Sequence, residues 1–287
     1  MALLASVLAA VSLASPRTAA AGEADVPYVP TPQVVVDEML HMAGVGKDDY
    51  VVDLGSGDGR IVITAAKMYG ARGFGVEIDG NLVHAARREA QRQGVSGQAE
   101  FVERNLFITD FSRATVLTLY LYPRVIMQLR PRFLAELSPG TRVVSHDFDM
   151  GGWQPDDHRK ISVPNKPYGP PSSEIYLWIV PGNAAGTWRW QLDVDGTPVA
   201  YELVLEQDFQ MLSGRPVVAG KAARIEGARM RGEEIRFMLA AEIGGREVRH
   251  EFAGRVAGDT IVGRVRTGSV DAEWKATRSQ RGTIGEH

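Results

Sequence analysis

Two acidic residues, Asp53 and Glu77, have the residue type and the spacing of a site that binds a ligand through carboxylates. Asp53 lies in the segment YVVDLGSGDGR (50–60), and Glu77 lies 24 residues later in the apolar run GFGVEI (73–78). A carboxylate at the tip of a strand attracts a cation, and an acid at about this spacing reaches the hydroxyls of a ribose. The two acids therefore predict a site for a positively charged nucleoside.

The spacing of the glycines after Asp53 indicates which kind of nucleoside binds. Dinucleotide enzymes carry G-x-G-x-x-G, and the position of its third glycine is Arg60 here. A carboxylate directly before the turn would also repel a pyrophosphate. S-adenosylmethionine has an ammonium, a sulfonium and a ribose but no phosphate, so we expect it as the cofactor. The alternative is a glycine turn that only packs a helix against a sheet.

The elements that must position these acids are the strands and helices of a doubly wound sheet. Tyr50 to Leu54 is a short apolar run, as expected of a strand buried on both faces. The apolar spacing from Ile61 to Met68 predicts a helix that ends at Gly70. Further strands are predicted over 73–78, 98–103, 114–121, 141–145, 159–163 and 173–180, and further helices after Thr31, over 81–93 and over 125–137, where Pro131 should introduce a kink. The expected fold is α/β, a Rossmann-like sheet of seven strands.

An extended segment precedes the first helix, because PYVPTP (27–32) holds three prolines. Thr31 is predicted to cap that helix, with Pro32 at its first position. We expect the segment to fold over the ligand as a lid, with Tyr28 near the methyl donor. A plain lead-in to the helix is the alternative.

The remaining site candidates follow the third and fourth strands. Asn105 is predicted to hydrogen-bond adenine and Leu106 to pack on its face, although asparagine is also a common turn residue. Tyr120 and Tyr122 stand where many enzymes that methylate amino groups of nucleic acids or glutamine carry Asn-Pro-Pro-Tyr. Tyrosine faces and strand-end carbonyls are better suited to an amine on a flexible stem. The two tyrosines are our candidate catalytic residues, lining an acceptor channel, unless they serve packing alone.

The segment HDFDMGGW (146–153) raises the question of a metal site. Alternation along an extended chain places His146 and Asp147 on opposite faces. We therefore predict no metal.

From Thr187 onward apolar and polar residues alternate, with glycine turns about every ten residues, which indicates antiparallel β structure. Asp195-Gly196 and Gly244-Gly245 are hairpin signals. The predicted strands are 187–194, 199–207, 215–220, 222–228, 233–241, 246–255, 259–266 and 270–277. Such strands form a small barrel or sandwich, to which we assign no chemistry.

The length and composition suit two domains after a leader. We expect a signal peptide over 1–21, a methyltransferase domain over 22–181 and a β domain over 182–287. A disordered alanine-rich tail is the alternative for the leader. Removal of the leader would leave no membrane span. The leader favours export to the periplasm, whereas supply of the donor favours the cytoplasm.

Charge and cysteine content exclude several classes of function. The net charge of −3 lacks the basic excess of a nucleic-acid binder, so we expect no nucleic acid as partner. The absence of cysteine excludes thiol nucleophiles, disulfides and Cys-ligated zinc.

Four segments together resemble the seven-strand methyltransferases that act on lysine, including the mitochondrial enzymes that modify the ATP synthase c subunit and the adenine nucleotide translocase. They are PYVPTP, DLGSGDGRIV (53–62), GVEID (75–79) and NLF (105–107) with the strand before Pro123. The likeness covers about residues 26–180. Asn105 stands where this family commonly has aspartate, and the leader and the β domain are not features of the mitochondrial enzymes.

Residues and resemblance together give our candidate cofactor-binding set. It comprises Tyr28, Thr31, Asp53, Leu54, Gly55, Ser56, Gly57, Gly59, Glu77, Asn105 and Leu106. The resemblance implies methyl transfer from S-adenosylmethionine to a protein lysine. Alternatives are an enzyme that methylates nitrogen or oxygen of a small molecule, and a non-catalytic binding protein that acts through its β domain.

Overall fold

A mixed seven-stranded sheet with flanking helices forms the first part of the molecule. The computed structural model describes residues 28–167 and 169–285, so the predicted leader lies outside the described residues. The strands are β1 (Tyr50–Leu54), β2 (Arg72–Glu77), β3 (Ala99–Glu103), β4 (Val116–Leu119), β5 (Arg142–His146), β6 (Asp157–Ser162) and β7 (Ser172–Ile179).

The strand order is β3-β2-β1-β4-β5-β7-β6. Strands β1 to β5 are parallel, and β7 is antiparallel to both β5 and β6. The predicted Rossmann-like sheet is therefore confirmed. Its order reverses between β1 and β4, and in such sheets a crevice opens there at the carboxyl ends of the strands.

The helices cover this sheet with their apolar faces. They are α1 (Gln33–Met42), α2 (Arg60–Tyr69), α3 (Gly80–Arg92) and α4 (Pro123–Glu136), and a short 3-10 helix spans Leu106–Ile108. Helix α1 buries Val35, Val36, Met39 and Leu40 completely. Pro131 lies inside α4, where the sequence placed it.

The start of α1 differs from the prediction. Pro32, with φ −56° and ψ 143°, is the N-cap residue, and its carbonyl accepts hydrogen bonds from the amides of Val35 and Val36. No side chain among the described residues caps the helix. The predicted capping role of Thr31 is wrong, because the chain is still extended at Pro32 and the Thr31 hydroxyl lies 3.3 Å from Nδ1 of His146 instead.

The second part is a closed antiparallel barrel rather than a sandwich. Its strands are β8 (Gly186–Val194), β9 (Thr197–Asp208), β10 (Met211–Val218), β11 (Lys221–Ala222), β12 (Arg224–Arg231), β13 (Glu234–Ile243), β14 (Arg246–Ala257), β15 (Thr260–Thr267), β16 (Val270–Arg281) and β17 (Ile284–Gly285). Eight long strands close the ring, because β16 pairs with β8 and β9 pairs with β10. The short β11 and β17 pair with β10 and β9.

The predicted hairpins at Asp195-Gly196 and Gly244-Gly245 are present. All four residues have positive φ (52°, 81°, 59° and 77°), as the tight turns of twisted hairpins require.

Aromatic side chains fill the barrel. Trp190 lies at its centre, with the ring centroids of Tyr201, Phe252 and Trp274 at 5.2, 5.5 and 5.3 Å. His250, also fully buried, is hydrogen-bonded to the hydroxyl of Tyr201 at 2.9 Å. The interior is therefore a packed core.

The β9–β10 hairpin docks the barrel onto the seven-stranded sheet. Phe209 at its tip stacks on Trp153, with centroids 5.4 Å apart and planes 5° apart, and the Arg130 guanidinium lies 5.0 Å from the Phe209 ring. The Gln210 side chain donates a hydrogen bond to the carbonyl of Gln154 at 2.6 Å. Phe209 thus belongs to the core of the first part of the molecule.

No helix within residues 28–167 and 169–285 has the length and apolarity needed to cross a membrane.

Candidate active site

A cavity of about 410 Å³ is lined by the residues that follow the first four strands, by the segment before α1 and by the first turns of α4. It contains eleven of the thirteen site residues named from the sequence: Tyr28, Thr31, Asp53, Gly55, Ser56, Gly57, Glu77, Asn105, Leu106, Tyr120 and Tyr122. Leu54 and Gly59 do not line it. Leu54 is fully buried in β1, and Gly59 caps α2, where an added Cβ would lie 2.5 Å from the Phe101 ring.

The backbone of the glycine turn lies close to two side chains that line the cavity, Leu121 and Tyr28. Gly55 and Gly57 have φ of 80° and 53°, in the left-handed region that favours glycine. An added Cβ would lie 2.9 Å from the Leu121 side chain at Gly55 and 2.3 Å from the Tyr28 ring at Gly57. The turn therefore needs glycine for its backbone conformation and for the close approach of both neighbours.

Asp53 ends up completely buried, with one side-chain partner. The Thr118 hydroxyl donates a hydrogen bond to its Oδ1 at 2.8 Å. The pKa of Asp53 is raised from its ordinary 3.8 to about 7, mainly by burial and also by the nearby Glu77 and Asp58 carboxylates, while the hydrogen bond from Thr118 opposes the rise. Among the residues that the structure describes, no basic side chain is paired with this carboxyl group.

Glu77 is oriented by backbone amides. Its Oε2 accepts a hydrogen bond from the Gly57 amide at 2.9 Å, and its Oε1 accepts one from the Ile78 amide at 2.7 Å. These bonds fix the carboxylate at the edge of the glycine turn. Asp53 and Glu77 consequently give one part of the cavity a negative charge.

The segment over residues 28–31 lies against the glycine turn. Arg60, which is paired with Asp58, holds it there by a hydrogen bond to the Thr31 carbonyl. Arg60 donates two hydrogen bonds to Asp58, from Nε at 2.9 Å and from Nη2 at 2.6 Å, and its Nη1 donates to the Thr31 carbonyl at 2.8 Å. Tyr28 lies near Asp58, and burial together with that carboxylate raises the pKa of Tyr28 to about 12. The segment thus has the placement expected of a lid.

Sequence reasoning missed Asp58 and Arg60 as members of the site. Both lie within YVVDLGSGDGR, and the available signal was a pair of opposite charges on either side of the last glycine, Gly59. What they bind could not be seen, because the Thr31 carbonyl is 29 residues away in the chain.

Aromatic rings form another wall, where Tyr120 and Tyr122 line the cavity and His146 and Phe148 pack against them without lining it. Tyr120 packs on His146 with centroids 4.0 Å apart, and Phe148 lies 6.2 Å from Tyr120 and 6.3 Å from Tyr122. Burial, followed by the charge of Asp147, raises the pKa of Tyr120, so its phenol stays neutral. Phe148 was not predicted; it lies in HDFDMGGW, which had been considered only for metal binding.

His146 joins this wall to the segment before α1. Its Nδ1 lies 3.3 Å from the Thr31 hydroxyl and its Nε2 lies 2.9 Å from the Ser173 hydroxyl. Burial lowers the pKa of His146 to about 4, so the ring is neutral at physiological pH.

The prediction that His146 and Asp147 diverge is wrong. Asp147 has φ of 61°, which turns its carboxylate back to 3.4 Å from Nε2 of His146. Asp147 is also paired with Lys166. No group of three His, Asp or Glu side chains that could hold a metal occurs among the residues described by the structure.

Comparison with known proteins identifies the family. The model of the ANTKMT methyltransferase domain matches residues 53–157. A protein-lysine N-methyltransferase of Saccharolobus islandicus (strain REY15A) is 44% identical over 156 residues, which make up 54% of this chain and 94% of that protein. The chain belongs to the ANTKMT methyltransferase family.

A second curated relative matches over a smaller share of its length, and a solved structure matches over nearly all of its chain. The adenine nucleotide translocase lysine N-methyltransferase of Mus musculus is 35% identical over 130 residues, 45% of this chain and 56% of that protein, so the chain spans about half of that relative. A crystallised RNA methyltransferase of Salinibacter ruber, bound to S-adenosyl-L-homocysteine, is 52% identical over 53% of this chain and 93% of that one, with a TM-score of 0.48.

This methyltransferase is therefore an enzyme, and the methyl donor expected from its sequence is S-adenosylmethionine. The residues present fit that donor. The buried Asp53 and the fixed Glu77 suit its ammonium and its ribose, and Ser56, which also lines the cavity, has a buried hydroxyl without a hydrogen-bond partner among the described residues.

Proposed function

We propose that this methyltransferase methylates the ε-amino group of a lysine in a protein. The observation that carries the proposal is that one cavity is lined both by the acids Asp53 and Glu77 and by the rings of Tyr120 and Tyr122. The first pair suits the donor, and the second pair suits a long, flexible amine. The names of the relatives in Saccharolobus and in mouse support a lysine acceptor.

Different residues of the cavity would bind the different parts of the donor. Asp53 and Ser56 hold the amino-acid part, Glu77 the ribose, and Asn105 with Leu106 the adenine. When bound, the sulfonium group of the donor supplies an electrophilic methyl group. The lid over residues 28–31, held by Arg60, then excludes water from the reacting atoms.

The acceptor must arrive as a neutral amine. An unperturbed lysine has a pKa of about 10.4, and transfer out of water into a cavity walled by rings lowers it. No side chain of the wall acts as base, since the phenol of Tyr120 is neutral and both ring nitrogens of His146 already have partners. The proton is therefore lost to solvent before the amine enters, and catalysis consists of alignment, worth several kcal/mol.

We also propose the division into a methyltransferase domain over residues 22–181 and a β domain over 182–287. The barrel begins at Gly186, after the last strand of the first sheet at Ile179, which supports a boundary between them.

Transfer from methyl-labelled S-adenosylmethionine into a cell extract tests the proposal. We expect label in protein bands that protease removes and ribonuclease does not, and, after acid hydrolysis, in methylated lysine. Label in RNA or in small metabolites would contradict a protein-lysine acceptor, and no label would support binding without catalysis.

Variants of the aromatic wall test the assigned roles. Tyr120→Ala should lower kcat at least tenfold while leaving the affinity for the donor within about twofold, because the ring faces the acceptor. A matched control is Tyr69→Ala, a tyrosine at the end of α2 that does not line the cavity.

A further inference from the structure

Two arginines at the cavity have no ionic partner in the part of the chain that the structure describes. Arg104 follows β3, Arg124 is the second residue of α4, and both line the cavity with exposed side chains. Within residues 28–167 and 169–285, neither side chain forms a hydrogen bond or an ion pair. By contrast, the nearby Arg60 and Arg132 are each paired with an acid.

Exposed apolar side chains line the same cavity or lie close in the chain to residues that line it. Ile78 and Tyr122 line the cavity and are 70% and 43% exposed. Ile108, 77% exposed, follows two cavity residues, and Met127, 38% exposed, lies one turn from Arg124 on α4. We call Ile78, Ile108, Tyr122 and Met127 the apolar rim. Exposed apolar groups that cluster beside a functional cavity indicate a docking surface.

We propose that Arg104, Arg124 and the apolar rim bind the segment of a protein substrate around its target lysine, and that the two arginines recognise a carboxylate within a few residues of that lysine. The proposal rests on the proposed lysine methylation and names the substrate class more closely. It requires a lysine in an extended segment with an acidic and an apolar neighbour.

Charge explains why an acidic neighbour is needed. The target lysine approaches as a cation, and two unpaired guanidinium groups repel it. A carboxylate beside the lysine is attracted to the arginines and offsets that repulsion, whereas a second basic residue adds to it. The arginines therefore favour acidic flanking residues and disfavour basic ones.

Four acids line the same cavity (Asp53, Asp58, Glu77 and Asp79), and within the described residues none of them forms an ion pair with either arginine. The carboxylate of Asp79 accepts a hydrogen bond from the Asn81 amide at 2.8 Å and caps α3. A nucleic acid fits the surface less well, because two arginines among exposed apolar side chains are not the basic stripe that a phosphate backbone needs.

A peptide library with a fixed central lysine and randomised flanking positions tests the proposal without a known substrate. With the full chain and labelled S-adenosylmethionine, we expect kcat/KM to be about threefold to tenfold higher for an acidic than for a neutral flank, and lower again for a basic one. The difference should appear in KM and should shrink as salt is raised from 50 to about 500 mM.

Charge-reversal variants of the two arginines test their role in the flank preference. Arg124→Glu and Arg104→Glu should each weaken the preference for acidic flanks, and the double variant should favour basic flanks. Arg88→Glu is the matched control, since Arg88 is exposed on α3 and does not line the cavity. It should leave the preference unchanged.

Each contrary result has its own meaning. Methylation of lysine with no flank preference overturns the docking proposal and leaves the proposed function standing. Label in added RNA, or no methylation of any peptide, overturns both. A loss of donor affinity in Arg124→Glu, measured by calorimetry without peptide, assigns that arginine to the donor and also overturns the docking proposal.

Discussion

Replacing Asp53 by asparagine separates the unfavourable burial of its carboxyl group from its part in donor binding. Asparagine is almost isosteric, and its oxygen still accepts the hydrogen bond from Thr118 that Oδ1 of Asp53 accepts at 2.8 Å. The variant therefore removes the charge and little else.

The effect on stability follows from the pKa of Asp53, about 7 in the folded protein against an ordinary 3.8. A raised pKa means that the stability contributed by the protonated group is complete below pH 3.8 and is lost as the pH rises through 7. At about 1.4 kcal/mol for each pH unit, the loss reaches about 4 kcal/mol. We expect Asp53→Asn to match the wild type in stability near pH 3.8 and to exceed it by up to about 4 kcal/mol at pH 8.

Chemical denaturation of the donor-free protein at pH 4, 6 and 8 measures this difference. Asp110→Asn, at an exposed acid outside the cavity, is the control and should show no such gain. Calorimetry gives the second readout. Because a cationic donor favours the ionised Asp53, its binding should release about 0.9 proton at pH 6 and almost none above pH 8.

The same gain in stability at pH 4 and pH 8 would refute the assignment of the buried charge to Asp53. Donor binding by Asp53→Asn with wild-type affinity, or without a change in proton release, would refute its role in holding the donor.

Three further variants test the turn, the lid and the barrel contact. Gly57→Ala should weaken donor binding at least tenfold, because the new Cβ would lie 2.3 Å from the Tyr28 ring; an unchanged calorimetric affinity would contradict this. Arg60→Ala should weaken donor binding several-fold and make the segment before α1 more sensitive to protease, since its hydrogen bond to that segment is lost; equal cleavage rates would argue against the lid. Phe209→Ala should destabilise the protein by about 3 to 5 kcal/mol in chemical denaturation, because the stack on Trp153 is lost, yet leave donor affinity unchanged.

The sequence predicted the donor side of the site well because its signals are local. A strand, a turn with glycines at 55, 57 and 59, and a helix follow one another within twenty residues, and each glycine has the positive φ that its type suggested. Parallel strands then bring Asp53 and Glu77 to the same edge of the sheet without further information.

The parts that sequence reasoning missed depend on contacts between distant residues. The Thr31 hydroxyl contacts His146, 115 residues away in the chain, and does not cap α1. Asp147 adopts a positive φ that its residue type permits but does not require, and this brought it back toward His146. The choice of barrel over sandwich was set by the pairing of β16 with β8 and of β9 with β10, which alternation alone does not specify.

The central claim is that the carboxylates of Asp53 and Glu77 select a cationic, phosphate-free nucleoside. Its most direct test is calorimetric titration of the wild type and of an Asp53→Asn, Glu77→Gln double variant with S-adenosylmethionine and, separately, with ATP. We predict that the wild type binds S-adenosylmethionine and rejects ATP, and that the double variant loses the affinity for S-adenosylmethionine. Comparable binding of ATP by the wild type, or undiminished binding of S-adenosylmethionine by the double variant, would contradict the claim.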